Sequence, residues 1–150
     1  MMQDNFFSYQ QRRIWLLVGW GGLSVVSGLL LQIVRNPFWK QFGLQAVMWG
    51  AIDVALAILG LNSANKKEEQ LALGVTKEVD EQKAIRSFFR LLAVNTSLDV
   101  GYVLSGILVM QRFKHRRDRR GMGVGILVQG LWLFLFDGFL TQEVGRRWMR

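Results

Sequence analysis

The sequence predicts an all-α fold, an integral membrane four-helix bundle, and two observations support this prediction. Four apolar blocks lie at residues 14–34, 42–61, 88–110 and 121–140, and each has about the 20 residues that a helix needs to cross a bilayer. The chain combines 51% hydrophobic residues with a net charge of +8, because its basic residues lie outside the centres of the blocks. Little sequence remains between the blocks, so we expect residues 1–150 to form a single transmembrane domain.

The first block follows Arg12 and Arg13, which is also the charge pattern of a signal peptide. The apolar run at residues 14–34 is longer than the apolar core of a signal peptide, and no small-x-small cleavage pattern follows it. We therefore expect a retained first transmembrane helix.

The connections between the blocks predict two hairpins. Residues 35–41 contain Pro37, which biases the preceding residue away from helical geometry and suits a tight turn. Residues 111–120 form a second tight link between the third and fourth blocks. Residues 62–87 are longer and mix both charges, which predicts a solvated linker with an exposed helical extension into the third block.

Short matches between the two hairpins suggest an internal repeat. Residues 25–31 (VVSGLLL) resemble residues 103–109 (VLSGILV), and a Gln-x7-Asp spacing recurs at 45–53 and 129–137. Because each hairpin starts on the same side, the repeat would be parallel, with its axis along the membrane normal.

Four spans place both termini and the long connection on one side of the membrane. This terminal side carries 11 Lys and Arg residues, against 8 on the side of the two tight hairpins. The difference slightly favours cytoplasmic termini. The near balance also leaves open an alternative, in which copies insert in both orientations and pair antiparallel.

The link between the third and fourth blocks is densely basic. Such a cluster suits a topogenic role or contact with anionic lipid headgroups. A ten-residue turn between two spans leaves no room for a nucleic-acid recognition element, so no nucleic-acid partner is expected. The basic residues of the link are Arg112, Lys114, Arg116, Arg117, Arg119 and Arg120.

Three aspartates, Asp53, Asp99 and Asp137, lie inside apolar blocks. A carboxylate at the bilayer centre is costly unless it is protonated, hydrogen-bonded or paired, so each is a functional candidate. At ~1.5 Å of rise per residue, Asp53 and Asp99 both lie about 16.5 Å from the hairpin side. We expect them to share a layer near the midplane, with Ser24 at almost the same depth.

A second polar level is predicted nearer to the terminal side. Asn95 and Asp137 lie roughly 22 to 24 Å from the hairpin side by the same rise. Arg90 lies further along the third helix, from where its long side chain could reach back to Asp137 as a countercharge. Gln129 lies at the opposite edge of the centre, about 12 Å from the hairpin side.

The chemistry of Asp53 and Asp99 stays open between three states, because no Lys or Arg lies in the middle of any block. The two acids could share a proton, bind a cation, or hydrogen-bond as neutral acids in a purely structural role. The side chains available for hydrogen bonds are Asn95, Gln129, Ser24 and Ser97.

The residue types also limit the chemistry. The chain has no cysteine and one histidine, so we expect no metal site and no cofactor. No His, Cys or Ser arrangement with a base appears, which argues against an enzyme.

Five short stretches resemble a family of small bacterial four-span membrane proteins of unknown function. The resemblance covers most of residues 13–142 and implies four spans and a location in a bacterial inner membrane, but it brings no known activity or ligand. The stretches are 36–43 (NPFWKQFG), 49–53 (WGAID), 98–102 (LDVGY), 120–129 (RGMGVGILVQ) and 136–137 (FD).

Two functional hypotheses follow. In the first, the protein is a proton- or cation-coupled transporter, or a subunit of one, and the aspartates exchange protons or a cation. In the second, it is a non-transporting membrane scaffold or assembly partner, whose polar centre fixes the register of the helices. The expected partners are the lipid bilayer and either a second copy or another membrane protein.

Overall fold

The computed structural model describes residues 5–75 and 78–149, with no side-chain description for residues 78 and 79. Within these residues the structure has four α-helices and no strand, as the sequence predicts. The helices are α1 (Phe6–Leu31), α2 (Pro37–Ala72), α3 (Glu78–Arg112) and α4 (Arg117–Arg147).

Local sequence sets several of the helix ends. The side chain of Asn5 accepts a hydrogen bond from the backbone N–H of Ser8 and caps α1. Asn36 caps α2 in the same way, and Pro37 follows at the first helical position. Gly74, with a φ of 68°, adopts the left-handed conformation just after α2.

The helices extend further than the apolar blocks at the terminal end of the bundle, the end where α1 begins and α4 ends. α2 continues to Ala72 and α3 begins at Glu78, so most of the predicted linker at 62–87 is helical. The predicted helical extension into the third span is thus confirmed, but it is not exposed throughout, because Ile85 is 1% exposed. A second extension prolongs α2. Lys77, which belongs to the predicted linker, lies outside the described residues.

Glycines let α1 and α2 pack backbone against backbone. A methyl group on Gly28 would lie 2.5 Å from the carbonyl oxygen of Gly43 and 2.9 Å from the amide nitrogen of Val47. One on Gly50 would lie 2.9 Å from Cβ of Ser24. These positions tolerate no side chain, so the small residues fix the spacing of the first hairpin.

The second hairpin uses the same contacts. A methyl group on Gly106 would lie 2.8 Å from the carbonyl oxygen of Gly123 and 2.7 Å from the amide nitrogen of Leu127. One on Gly130 would lie 2.9 Å from Cβ of Tyr102 and 3.1 Å from the amide nitrogen of Val103. α3 and α4 therefore cross at the same kind of glycine contact as α1 and α2.

These matching contacts support the internal repeat and correct its register. Gly106 lies 78 positions after Gly28, in agreement with the match between 25–31 and 103–109. Gly123 lies 80 positions after Gly43, whereas the Gln-x7-Asp match implies a shift of 84. The Gln-x7-Asp match therefore differs by four residues, about one helical turn, from the register that the glycine contacts show.

The two hairpins meet along α2 and α4. At the hairpin end of the bundle, opposite to the terminal end, Gly121 packs directly on the backbone of Phe38 and leaves no room for a methyl group. One turn further, Gly125 packs on the side chain of Gln45. α2 and α4 thus run parallel at the centre of the bundle, and α1 and α3 flank them.

Small residues spaced four positions apart form rows on α1, α3 and α4, and these rows divide into two groups. Those containing Gly28 and Gly121 make the close contacts described above. The row on α3, with Ser97, Gly101 and Ser105, is exposed, and nothing lies within 4 Å of a methyl group placed on Gly101.

A core of buried apolar residues closes the terminal end of the bundle. Phe6 and Phe7, at the start of α1, are 0% and 1% exposed. They lie in one cluster with Tyr9, Ile85, Leu92, Leu140 and Val144. The first helix therefore begins well before residue 14, because its opening residues pack between the other helices.

The outer surface along the middle of the bundle is apolar, and the interior there is polar. Leu23, Leu59 and Leu108 are each 63% exposed or more. The buried polar and charged residues, by contrast, are Ser24, Asp53, Asp99, Gln129 and Asp137. All four helices are long and apolar enough to cross a membrane.

Candidate functional site

Three buried carboxylates from three helices form the candidate site. Asp53 of α2 and Asp99 of α3 are each 3% exposed, and Asp137 of α4 is 7% exposed. Asp99 lies within electrostatic reach of both other carboxylates, and Asp53 lies within reach of Asp137. The three acids, which we call the aspartate cluster, therefore interact electrostatically across the two predicted levels.

Asp53 of α2 and Asp99 of α3 lie at the same level of the bundle, next to a ring contact between these two helices. Trp49 precedes Asp53 by one turn, Tyr102 follows Asp99 by almost one turn, and the two rings meet edge to face at 4.7 Å between centroids. Since the helices are antiparallel, this ring contact brings the two acids to neighbouring positions. The shared layer predicted from the depth of the residues agrees with this geometry.

A glycine on α1 makes room for Asp53. A methyl group on Gly21 would lie 3.2 Å from Cβ of Asp53 and 2.8 Å from the carbonyl oxygen of Gly50. At the corresponding position of the second hairpin, 78 positions later, the chain has Asp99. The repeat therefore places a glycine in one hairpin where the other carries a carboxylate.

The surroundings of Asp53 and Asp99 leave part of each carboxylate without a partner. The Oδ2 atoms of both residues are buried and accept no hydrogen bond within the described residues. A buried polar atom without a partner is costly, and a charged one is more so. The hydrogen-bonded state that the sequence left open for these two acids is therefore incomplete in the structure.

Asp137 has a polar neighbour, but not the predicted countercharge. Asn95 lies within hydrogen-bonding reach of its carboxylate, in line with the level predicted for these two residues. Arg90 is exposed and makes no ion pair with Asp137 in the part of the chain that the structure describes. The expectation that Arg90 reaches back is wrong, because its side chain extends outward from the bundle.

Ser24 and Gln129 form a separate network with an aromatic residue. The indole N–H of Trp20 donates to Oε1 of Gln129 at 2.9 Å, and the Gln129 amide donates to the Ser24 hydroxyl at 3.3 Å. These bonds use both ends of the Gln129 amide and join α1 to α4. Ser97, the other candidate donor, is exposed and bonds to the backbone carbonyl of Ala93.

An aromatic stack, which the sequence did not predict, extends from the hydrogen-bonded network of Gln129. The rings of Trp20 and Trp132 stack with centroids 4.3 Å apart, and Phe136 stacks on Trp132 at 6.1 Å. The indole nitrogen of Trp132 is buried without a hydrogen-bond partner among the described residues. The stack therefore leads from the Gln129 network to the residue next to Asp137.

A fourth acid lies at the terminal end of α4, where sequence reasoning placed no site. Glu143 forms an ion pair with Arg13 at 2.9 Å and accepts a hydrogen bond from the Tyr9 hydroxyl at 2.7 Å. Burial, helped by the neighbouring Glu143, raises the pKa of Tyr9 to about 12. The sequence shows these residues 130 positions apart, so only the fold could reveal their contact.

The basic link forms an exposed surface at the hairpin end. Its one acidic residue, Asp118, pairs with Arg116 at 3.2 Å and lies 4.0 Å from Nε of Arg119. The guanidinium groups of Arg112 and Arg119 lie over the ring of Phe113, at 5.7 and 5.6 Å from its centroid. The basic residues predicted from sequence are therefore all exposed at the hairpin end.

Within residues 5–75 and 78–149, no group of three or more His, Cys, Asp or Glu side chains has an arrangement that could hold a metal ion. The three aspartates are close enough to influence one another, but they do not converge on one point. Proton sharing needs only two neighbouring carboxylates, so it stays open for Asp53 and Asp99.

A comparison with protein families identifies the chain. The model of a family of unknown function, DUF6992, matches residues 16–138. No curated protein matches the chain, and no solved structure does. The match covers almost the same stretch as the resemblance seen in the sequence and agrees with it in pointing to an uncharacterised family. The chain therefore belongs to DUF6992, a family of unknown function.

Proposed function

We propose that this chain is an integral membrane protein that takes up and releases protons at the aspartate cluster, as a proton-coupled transporter or a subunit of one. The observation that carries the proposal is the pair of buried Oδ2 atoms of Asp53 and Asp99, which have no hydrogen-bond partner within the described residues. The activity is transport and not catalysis.

The distribution of polarity supports a membrane location. Large apolar side chains cover the outside of the bundle, and the carboxylates and amides of the spans lie inside. A protein folded in water would bury those apolar side chains, because removing apolar surface from water drives its folding. A bacterial inner membrane with both termini in the cytoplasm fits the resemblance and the charge count. Single cysteines placed in the cysteine-free chain would report this orientation.

A bound proton is the simplest species that would give the unpaired carboxylate oxygens a hydrogen-bond partner. Two neighbouring carboxylates cannot both remain charged in an apolar interior without a countercharge, and none of the described Lys or Arg side chains pairs with them. A single shared proton reduces the charge and provides a donor for the facing oxygen. Asp137 and its neighbour Asn95 would then continue the path towards the terminal end.

The test uses purified protein in liposomes that contain a pH-sensitive dye. No co-substrate is present in this assay, so it measures the uncoupled proton leak through the aspartate cluster. An imposed potassium diffusion potential should drive this leak through the wild type, and Asp53→Asn or Asp99→Asn should reduce it to that of empty liposomes. Asp80→Asn is the matched control, because Asp80 lies on α3 but is exposed and outside the apolar block. Equal flux through all four proteins would contradict the proposal.

A second measurement reads proton binding without transport. Infrared difference spectra between acidic and alkaline buffer should show a protonated carboxyl band that disappears in Asp53→Asn or Asp99→Asn. A spectrum that is the same in both variants and the wild type would mean that these acids do not exchange protons.

The scaffold hypothesis has its own supporting observation. The bonds from Trp20 through Gln129 to Ser24 join α1 to α4, and buried polar contacts of this kind fix the relative position of transmembrane helices. A scaffold predicts that Asp→Asn variants change the thermal stability in detergent, with no proton flux in any variant. A proton-coupled transporter predicts loss of flux at nearly unchanged stability.

A further inference from the structure

The hairpin end of the bundle presents an open groove with a volume of about 570 Å³, which the aspartate cluster does not explain. Met110, Gln111, Lys114 and Arg120 line it. Met110 is the last residue of the third apolar block, and Lys114 and Arg120 lie in the basic link beyond it. The groove therefore crosses the boundary between the apolar part of the bundle and its charged end.

The positive charge at this groove is not neutralised within the protein. Asp118 is the one acidic residue in the two hairpin links, residues 35–41 and 111–120, and it pairs with Arg116. Lys114 and Arg120 are exposed and make no ion pair within the described residues. A ligand with both an anionic group and a hydrocarbon part would complement these two cations and the Met110 side chain beside them.

The first hairpin adds to the same surface. Gly121 packs on the backbone of Phe38, so Arg120 lies beside the start of α2. The next two residues of α2 are Trp39, which is 44% exposed, and Lys40, which is also exposed. Exposed tryptophan next to lysine is typical of helix ends at the level of lipid headgroups.

From this geometry we propose that the groove binds an anionic phospholipid. The phosphate would lie between Lys114 and Arg120, the Gln111 amide would donate to an ester or phosphate oxygen, and the acyl chains would run along Met110. This assignment rests on the proposed membrane location, but not on proton transport. Loss of proton flux and loss of lipid binding would therefore be separate results.

The test compares phosphatidylglycerol with phosphatidylcholine, each added to the protein purified in a neutral detergent. Native mass spectrometry should show tight binding of phosphatidylglycerol alone, together with a higher melting temperature. Each basic residue near an anionic lipid contributes roughly fivefold in affinity. Lys114→Gln combined with Arg120→Gln should therefore weaken binding by roughly 25-fold.

The matched control is Lys66→Gln combined with Lys67→Gln, which removes two exposed lysines from the extension of α2 at the opposite end. This control should keep the affinity of the wild type. Equal binding of both lipids, or equal losses in the two double variants, would overturn the proposal. Binding of glycerol 3-phosphate as tight as that of phosphatidylglycerol would also overturn it, since the acyl chains would then contribute nothing.

Discussion

Alanine in place of Gly28 tests whether the glycine contacts determine the packing of each hairpin. The new methyl group would lie 2.5 Å from the carbonyl oxygen of Gly43, and ordinary contact begins at 3.4 Å, so α1 and α2 must separate by about 0.9 Å. Overpacking of this kind costs about 1–3 kcal/mol, whereas Gly→Ala in a helix gains up to about 1 kcal/mol. We expect a net loss of about 1–2 kcal/mol in the free energy of unfolding.

The repeat makes the same prediction for the second hairpin. Gly106→Ala would place a methyl group 2.7 Å from the amide nitrogen of Leu127, which requires a separation of about 0.7 Å and gives a loss of similar size. Gly19→Ala and Gly101→Ala are the controls on the same two helices, since nothing lies within 4 Å of a methyl group at either position. They should leave stability unchanged or raise it by up to about 1 kcal/mol.

The assay is reversible unfolding in mixed micelles with increasing denaturing detergent, followed by circular dichroism. If Gly28→Ala and Gly106→Ala were as stable as their controls, the helices would not meet at these glycines. A large loss for Gly101→Ala alone would mean that the outer face of α3 is packed against another chain.

Gln129→Leu leaves the Trp20 indole N–H and the Ser24 hydroxyl without their hydrogen-bond partner. The melting temperature should therefore fall by an amount that corresponds to about 1 kcal/mol in the free energy of unfolding. An unchanged melting temperature would mean that this network has no structural role. The hydrogen bond from the Ser8 hydroxyl, the largest influence, holds the pKa of Glu68 below its ordinary value. The stabilisation by Glu68 is therefore complete above an unfolded-state pKa of about 4.3 and is lost as the pH falls through the lower folded-state pKa. Melting temperatures across this range should show an acid-side decline that is smaller in Glu68→Gln, and an identical decline in both proteins would contradict the assignment.

The sequence did not predict that α1 begins at Phe6. The apolar block at 14–34 predicted the first span, but Phe6, Phe7 and Tyr9 precede it among polar residues and gave no periodic signal. In the structure they are buried against Ile85 and Val144, which are remote in sequence. Their helical conformation depends on this packing, because a short helical end gains most of its stability from tertiary contacts.

The candidate site was predictable in its residues but not in its connections. Asp53, Asp99 and Asp137 were identified because a carboxylate inside an apolar block is energetically costly. Counting residues along each block placed Asp53 and Asp99 at the same depth. The orientation of each helix about its own axis decided which side chains meet. It turned Arg90 outward and engaged Gln129 with Trp20, and no count of residues along the chain could give these directions.

The sequence by itself determined the number of helices and the apolar centre of each one, because these depend on the length and polarity of local segments. Tertiary structure alone decided which helices touch, the register between them and the partner of each buried polar atom. The register of the repeat illustrates the difference. Gln-x7-Asp motifs match in sequence at a shift of 84, whereas Gly43 and Gly123 occupy equivalent contacts at a shift of 80. Close backbone packing admits only glycine at the crossing points, and this steric requirement sets the alignment of the hairpins.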